Sequence, residues 1–310
     1  MKNSRKVRGF VMVLLAASFW GLSGTVAQHL FTAGNFQPAW LVTVRLLASG
    51  LILLVLQARK TNIFTIWRRR PVSLLLFGVF GMLAVQYTYF AAIAASNAAT
   101  ATLLQYLGPA LLLVYVCLRL KKLPKPKEWT AVLLALFGTY LLLTNGMPQN
   151  LQVSPAAVAW GLTSAAALGF YTLFPGKLLQ EWGSGLVVGW GMFIGGFFMS
   201  FVAPPWHLAG QQWTLSSVGA VLFVIVFGTL LAFFLYLESL HYILPMETSL
   251  LACAEPLVAT ISAILWLGVS FGAVQLVGGT FIVFTVVLLS MKEGKRKGRR
   301  GVRVKEWMTS

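Results

Sequence analysis

The sequence predicts an all-α integral membrane protein: ten transmembrane helices arranged as two inverted five-helix repeats, with both termini cytoplasmic. Three observations carry that prediction. Hydrophobic residues make up 58% of the 310 and charged residues only 10%, whereas soluble domains are roughly a quarter charged. The apolar residues gather into runs of the length that crosses a bilayer as a helix, about 20 residues each. Twenty-three of the 24 lysines and arginines fall in alternate gaps between those runs.

Taken in order, the apolar spans lie near 9–31, 38–57, 72–95, 98–118, 128–144, 156–176, 184–203, 216–240, 246–268 and 270–291. Lys2, Arg5, Lys6 and Arg8 precede the first span, and Arg59, Lys60, Arg68, Arg69 and Arg70 separate the second from the third. Arg119, Lys121, Lys122, Lys125 and Lys127 follow the fourth, Lys177 the sixth, and eight more cations the tenth. The gaps at 32–37, 96–97, 145–155, 204–215 and 268–270 hold none. Cytoplasmic loops carry the excess of Lys and Arg, so this asymmetry puts both ends inside. A formal charge of +17 alone would suggest nucleic acid, but its one-sided placement assigns it to topology, and no nucleic-acid partner is expected.

Boundary residues agree. Pro38, Pro71 and Pro155 stand at the first positions of spans, where a missing N–H costs a helix nothing. Trp40, Trp206, Trp213 and Trp266 are expected at outer span ends and Trp67, Trp129 and Trp182 at inner ones, at headgroup level. The first apolar run is too long for a signal peptide and is expected to remain. Cys117 and Cys253 lack metal or redox spacing and read as packing residues.

An internal repeat bears on function. An offset of 147 residues aligns 89–109 with 236–256 without a gap, matching Tyr89 to Tyr236, Leu103 and Leu104 to Leu250 and Leu251, and Pro109 to Pro256. Each segment covers the end of the third span of its half and the start of the fourth. Five spans per half is odd, so the halves enter the membrane from opposite sides. Such architecture is associated with alternating-access transport, with the site near the midplane where the halves meet.

Several residues together resemble the EamA family of the drug/metabolite transporter superfamily. They are Trp20-Gly21, Arg45, the Tyr89-x-x-Ala92 stretch leading to Pro109, Gly228-Thr229, Tyr236, Glu255-Pro256, Leu267-Gly268 and Gln275-x-x-Gly278. The resemblance covers nearly the whole chain. It implies one EamA-like repeat over 1–150, a second, inverted, over 151–291, and a basic cytoplasmic tail over 292–310. It further implies a secondary transporter of the inner membrane, commonly an exporter of amino acids or related metabolites. The chain departs from the family where Leu-Gly-Glu often closes the fourth and ninth spans. The ninth ends Leu267-Gly268-Val269, and the fourth runs into Arg119-Leu120-Lys121-Lys122.

An ionisable group inside hydrocarbon costs at least a few kcal/mol, so each is a candidate for function. Arg45 lies about 10 Å below the outer surface at ~1.5 Å per residue. It is either an anchor for a substrate carboxylate or phosphate, or a structural arginine capping carbonyls. Glu255 lies roughly 13 Å from the inner surface by the same rise. It is a proton carrier, a site for a substrate ammonium, or an acid that ties the halves together, with Arg45 as one available partner. Trp20, Gln86, Gln105 and Tyr106 are candidates to complete a substrate pocket, with Ser23, Gln28, Tyr87 and Trp190 as neutral neighbours. The alternatives for these are interhelical hydrogen bonds and ordinary packing. Glu238, His241 and Glu247 cluster at the inner side, as solvated interface or as a gate. The glycines of the seventh span, Gly185, Gly189, Gly191, Gly195 and Gly196, suit a close helix crossing or a sliding surface.

No enzyme site is expected. His29, His207 and His241 are scattered, aspartate is absent, and no GxxxxGK[ST] loop occurs, so no cofactor is predicted and transport is passive or driven by an ion gradient, with protons the candidate ion. The expected partners are a small-molecule substrate and the lipid bilayer. Two rival readings remain: a multidrug or cationic-compound exporter, and a non-transporting membrane scaffold.

Overall fold

Prolines open many of the helices and left-handed residues close several. The computed structural model describes residues 2–95, 98–121, 123–150, 154–267 and 272–290, and every regular element among them is helical. Helix α1 runs Lys2–Ala33 and α2 Pro38–Ala58; the short α3, Thr65–Arg69, lies in the following loop. Helix α4, Pro71–Leu76, passes through a π-helical turn, Phe77–Leu83, into α5, Ala84–Ala94. Next come α6, Ala98–Gln105, α7, Gly108–Leu120, and α8, Pro126–Thr144, which ends on left-handed Asn145 and Gly146.

The second half begins with α9, Pro155–Leu173, capped by Ser154, whose Oγ accepts the Ala157 N–H at 3.1 Å. Helices α10, Gly176–Trp182, and α11, Ser184–Met199, follow. Helix α12, Leu215–Ile225, passes through a second π-helical turn, Val226–Leu231, into α13, Ala232–Ser239. The last helices are α14, Pro245–Leu251, α15, Ala254–Leu267, and α16, Ala273–Ser290.

Among the described residues, six segments are both long and apolar enough to cross a bilayer: Arg5–Phe31, Pro38–Ala58, Pro71–Ala92, Ala101–Arg119, Pro155–Trp182 and Leu215–Ser239. They coincide with the first, second, third, fourth, sixth and eighth spans of the sequence reading. The other four positions hold helices that are shorter (α11), interrupted (α14 and α15), charged at the start by Lys127 and Glu128 (α8), or short in their apolar part (α16, as Ala273–Thr285). The gaps at 96–97 and 268–270, the tail 292–310, and the side chains of Gln28 and Trp266 lie outside the described residues.

Helix pairing is reciprocal between the halves. Helix α2 packs on α11 and α8 on α16; α1 packs on α15 and on α12 and α13, while α9 packs on α6, α7 and α5. Applying the offset of 147 to the first π-helical turn lands it on the second, and applying it to the break between α6 and α7 lands it on the break between α14 and α15. The α2–α11 crossing is close because glycine permits it: a Cβ on Gly50 would stand 2.5 Å from the Phe193 backbone nitrogen. From α11, Gly189 and Gly196 face α2, whereas Gly191 and Gly195 face the first π-helical turn. The tight-crossing reading of these glycines therefore describes their contacts.

Both faces carry ties between the halves. On the basic face, Lys6 pairs with Glu247 at 2.7 Å, the Arg8 guanidinium lies 5.0 Å from the Tyr242 ring centre, and Arg70 holds Glu181 through two bonds of 2.7 and 3.1 Å. Within the second half on that face, His241 meets Glu238 at 3.5 Å. On the opposite face, Ser154 Oγ donates to the Ala95 carbonyl at 3.0 Å, Asn35 Nδ2 to Gly210 O at 3.0 Å, and the Gln212 N–H to Gly34 O at 2.9 Å. Trp40, at the first turn of α2, is buried in the protein: its Nε1 donates to Pro205 O at 2.9 Å and its ring packs against Phe36 and Trp213. A hydrogen-bonded indole inside an aromatic cluster fixes the loop above α2 more firmly than a floating ring would.

Candidate functional site

The site grows from two helix breaks. Proline has no N–H to give the carbonyl four residues back, so Pro109 deprives Gln105 of a helical donor and Pro256 deprives Ala252. The chain responds by interrupting each helix there, between α6 and α7 and between α14 and α15. Freed carbonyls at membrane depth need another partner. The Ala252 carbonyl finds two: the Glu255 N–H at 2.9 Å, and the Tyr106 hydroxyl at 3.2 Å, reaching across from the other break.

The same Tyr106 hydroxyl lies 2.8 Å from Glu255 Oε2. Tyr106 thus joins the two interrupted helices, one from each half, at the residue the sequence marked as the central acid. With one proton to share, the hydroxyl donates mainly to the closer, charged oxygen. Should the carboxyl carry a proton, it can donate to Tyr106 instead, and Tyr106 can turn its own proton to Ala252. The arrangement therefore satisfies both states of Glu255 with little movement.

Arg45 from α2 interacts electrostatically with Glu255 and with Tyr89, yet no ion pair or hydrogen bond joins it to either. Its Nε is buried without a hydrogen-bond partner. A direct Arg45–Glu255 pair was one option open to the sequence; the structure leaves the two charges apart because Glu255 turns to Tyr106. Tyr89 is held by Thr102 across the α5–α6 hairpin at 2.8 Å. Its repeat counterpart Tyr236 faces Ser249, the counterpart of Thr102, and also bonds Thr172 at 3.0 Å.

Trp20 from α1 packs edge-on to Phe233, ring centres 5.0 Å apart, and tilted to Tyr236 at 5.3 Å, while its indole N–H is buried without a partner. Tyr171 continues this aromatic file against Phe233 and Tyr236 and ends it on Phe77. Gln86 on α5 is 3% exposed, and neither its amide oxygen nor its nitrogen has a partner. Gln105 differs: its Nε2 donates to Ser164 Oγ on α9 at 2.8 Å, the interhelical bond given as the alternative for it. Leaving a buried donor or acceptor unmet costs about 1–3 kcal/mol. Three of the six predicted site residues, Trp20, Arg45 and Gln86, bear that cost.

Other sequence candidates fall outside this centre. Trp190 Nε1 donates to Ile63 O at 2.9 Å and its ring packs on Trp67 and Phe64, so it anchors the loop after α2. Tyr87 is exposed and edges Trp160, lining a shallow apolar cavity of about 300 Å³ with Phe80, Phe198 and Val202. Cys253 is buried and Cys117 partly so, as packing residues would be. Among the described residues no cluster of His, Cys and Glu could hold a metal ion. The residues that sequence reasoning passed over are Tyr171, Phe233 and Thr102. Only the repeat offset pointed to any of them, by setting Thr102 against Ser249.

This constellation can be compared with known proteins. The model of the EamA-like transporter family matches the chain twice, over residues 7–144 and 155–291. The chain belongs to the EamA-like transporter family. It is therefore a multi-pass membrane protein of a transporter family, and the EamA resemblance seen in its motifs is borne out. Among its relatives, a protein of Salmonella typhimurium named as an uncharacterized inner membrane transporter, YicL, is 38% identical over 301 residues, covering 96% of this chain and 99% of its own length. The protein PecM of Dickeya dadantii is 26% identical over 281 residues, 88% of this chain and 89% of that one. A crystal structure superposes with a TM-score of 0.74 at 17% identity, covering 93% of this chain and 96% of the other, which shows a shared fold.

Proposed function

We propose that this EamA member is a secondary transporter of the inner membrane that moves a small zwitterionic metabolite, an amino acid or a related compound, outward by alternating access. The observation that carries the reading is the pairing of Arg45 and Glu255: opposite charges deep in the bundle, electrostatically coupled, without a direct bond between them. Structural charges at such depth close on a partner, because an uncompensated one is expensive. Charges held apart suit a ligand that supplies both complements, a carboxylate toward Arg45 and an ammonium toward Glu255. Buried unmet donors on Trp20 and Gln86 would then serve the bound molecule. Tyr106 positions the Glu255 carboxylate in either protonation state, which makes protons the coupling ion we favour.

The architecture we infer is ten crossings, with repeats over 1–150 and 151–291 inverted relative to one another and a cytoplasmic tail over 292–310. The reciprocal helix pairings, the matching π-helical turns and the matching proline breaks support it, as does the inverted-repeat logic of secondary transporters. Ties between the halves on both faces fit gates that open in turn, with Lys6–Glu247 and Arg70–Glu181 on the cytoplasmic side. Reporter fusions after residues 34, 97, 150 and 210 are expected to read as external, and fusions after 62, 123, 181 and 300 as cytoplasmic. One reversed sign breaks the ten-crossing topology.

Transport itself is tested by reconstituting the full chain in proteoliposomes with a mixture of labelled amino acids, neutral metabolites and lipophilic cations, and reading flux by mass spectrometry. Saturable movement of zwitterions, accelerated by a pH gradient, is the expected result. Movement of cations alone would favour a multidrug exporter, and no movement of any class a scaffold.

A further inference from the structure

A second cavity, of about 570 Å³, opens between α7 and the pair α9 and α10, and none of the six residues of the central site lines it. Its lining combines small residues, Ala165, Ala166 and Gly169, with larger apolar ones such as Leu111, Phe170 and Leu173. Arg119 and Lys177 stand at its edge, both exposed, and neither forms an ion pair or hydrogen bond with a described residue. Such volume is in the range that holds a small ligand. At Gly169 a Cβ would meet nothing within 4 Å.

We propose that this groove is a binding site for an anionic phospholipid of the cytoplasmic leaflet, with the phosphate between Arg119 and Lys177 and an acyl chain against α7 and α9. Charge complementarity selects the occupant. Two unpaired cations on separate helices above an apolar slot match a lipid with net negative charge. A phosphatidylethanolamine brings its own ammonium beside the phosphate, which the two cations repel. Basic residues elsewhere on the same face, such as Arg59 and Lys60, attract anionic lipid diffusely and line neither of the two cavities described.

The test is native mass spectrometry of the full chain in detergent, titrated with phosphatidylglycerol or with phosphatidylethanolamine of the same acyl chains. Phosphatidylglycerol should remain bound preferentially. The double variant Arg119→Gln/Lys177→Gln should lose about thirtyfold in retention, the order expected from two cations, while Arg59→Gln/Lys60→Gln keeps it. Gly169→Leu, which has space to fold and fills the slot, should also lose retention without any change of charge. Equal loss in the two charge variants, equal retention of the two lipids, or full retention by Gly169→Leu would each overturn the proposal. The readout is binding alone, so its failure is separate from any failure to transport.

Discussion

Glu255→Gln is expected to lower transport about 100-fold while the protein still reaches the membrane, since a charge-assisted contact is worth up to about 3 kcal/mol. The amide keeps the shape of the side chain and can still accept from Tyr106, which lies 2.8 Å from Glu255 Oε2. What it loses is the negative charge and the ability to take up a proton, so flux and its response to a pH gradient should fall together. Tyr106→Phe keeps the charge but removes the donor that orients it and that meets the Ala252 carbonyl at 3.2 Å. A smaller loss is expected there, and the double variant should be little worse than Glu255→Gln, because both changes act through one contact. Arg45→Lys should impair transport as well, since a compact ammonium cannot present the planar fork of a guanidinium to a carboxylate. Flux measured in proteoliposomes at matched protein content checks all four variants. Wild-type rates in Glu255→Gln and Arg45→Lys would make both residues structural and move the search for the site to Trp20, Gln86 and the aromatic file.

Gly50→Leu is expected to cost about 3 kcal/mol of stability or to prevent assembly, at the upper end of what overpacking does to a close contact. The obstacle is backbone: a Cβ there would stand 2.5 Å from the nitrogen and 2.9 Å from the Cα of Phe193. Backbone cannot swing aside as a flexible side chain can, so α2 and α11 would have to separate along their length. In lipid, helix association depends on such close packing because burial of apolar surface supplies little between helices. Gly24→Ala is the matched control, since a Cβ there meets nothing within 4 Å. Thermal unfolding followed by size-exclusion chromatography in detergent should show a lowered midpoint for the first variant and an unchanged or raised one for the second. A wild-type midpoint for Gly50→Leu would mean that the two helices do not touch at that point.

Much of the candidate site was legible residue by residue, though not as a site. Glu255, Arg45 and Tyr106 were marked because polar and ionisable groups are conspicuous in hydrocarbon. Gln105 was marked by the same signal, and its amide nitrogen donates to Ser164 on α9. Trp190 and Tyr87 could not be placed from the sequence for a related reason. An aromatic ring at mid-span carries no sign of whether it faces the bundle, the lipid or a loop, and Trp190 reaches out to Ile63 while Tyr87 faces outward. Tyr171 passed unnoticed because its neighbours Phe233 and Tyr236 lie more than 60 residues away.

By itself the sequence determined that this chain is helical and lives in lipid, that its cations lie on alternate loops, and that Tyr89 and Pro109 recur as Tyr236 and Pro256. These properties are local and additive: each backbone group in lipid must be satisfied within its own segment, so length, apolarity and charge placement can be read along the chain. The tertiary structure alone decided that Tyr106 meets Glu255, that Arg45 stays unpaired beside them, and that a cavity opens between α7 and α9. Those outcomes depend on which way a side chain points around its helix axis, and a proline break resets that direction by an amount that no linear pattern records.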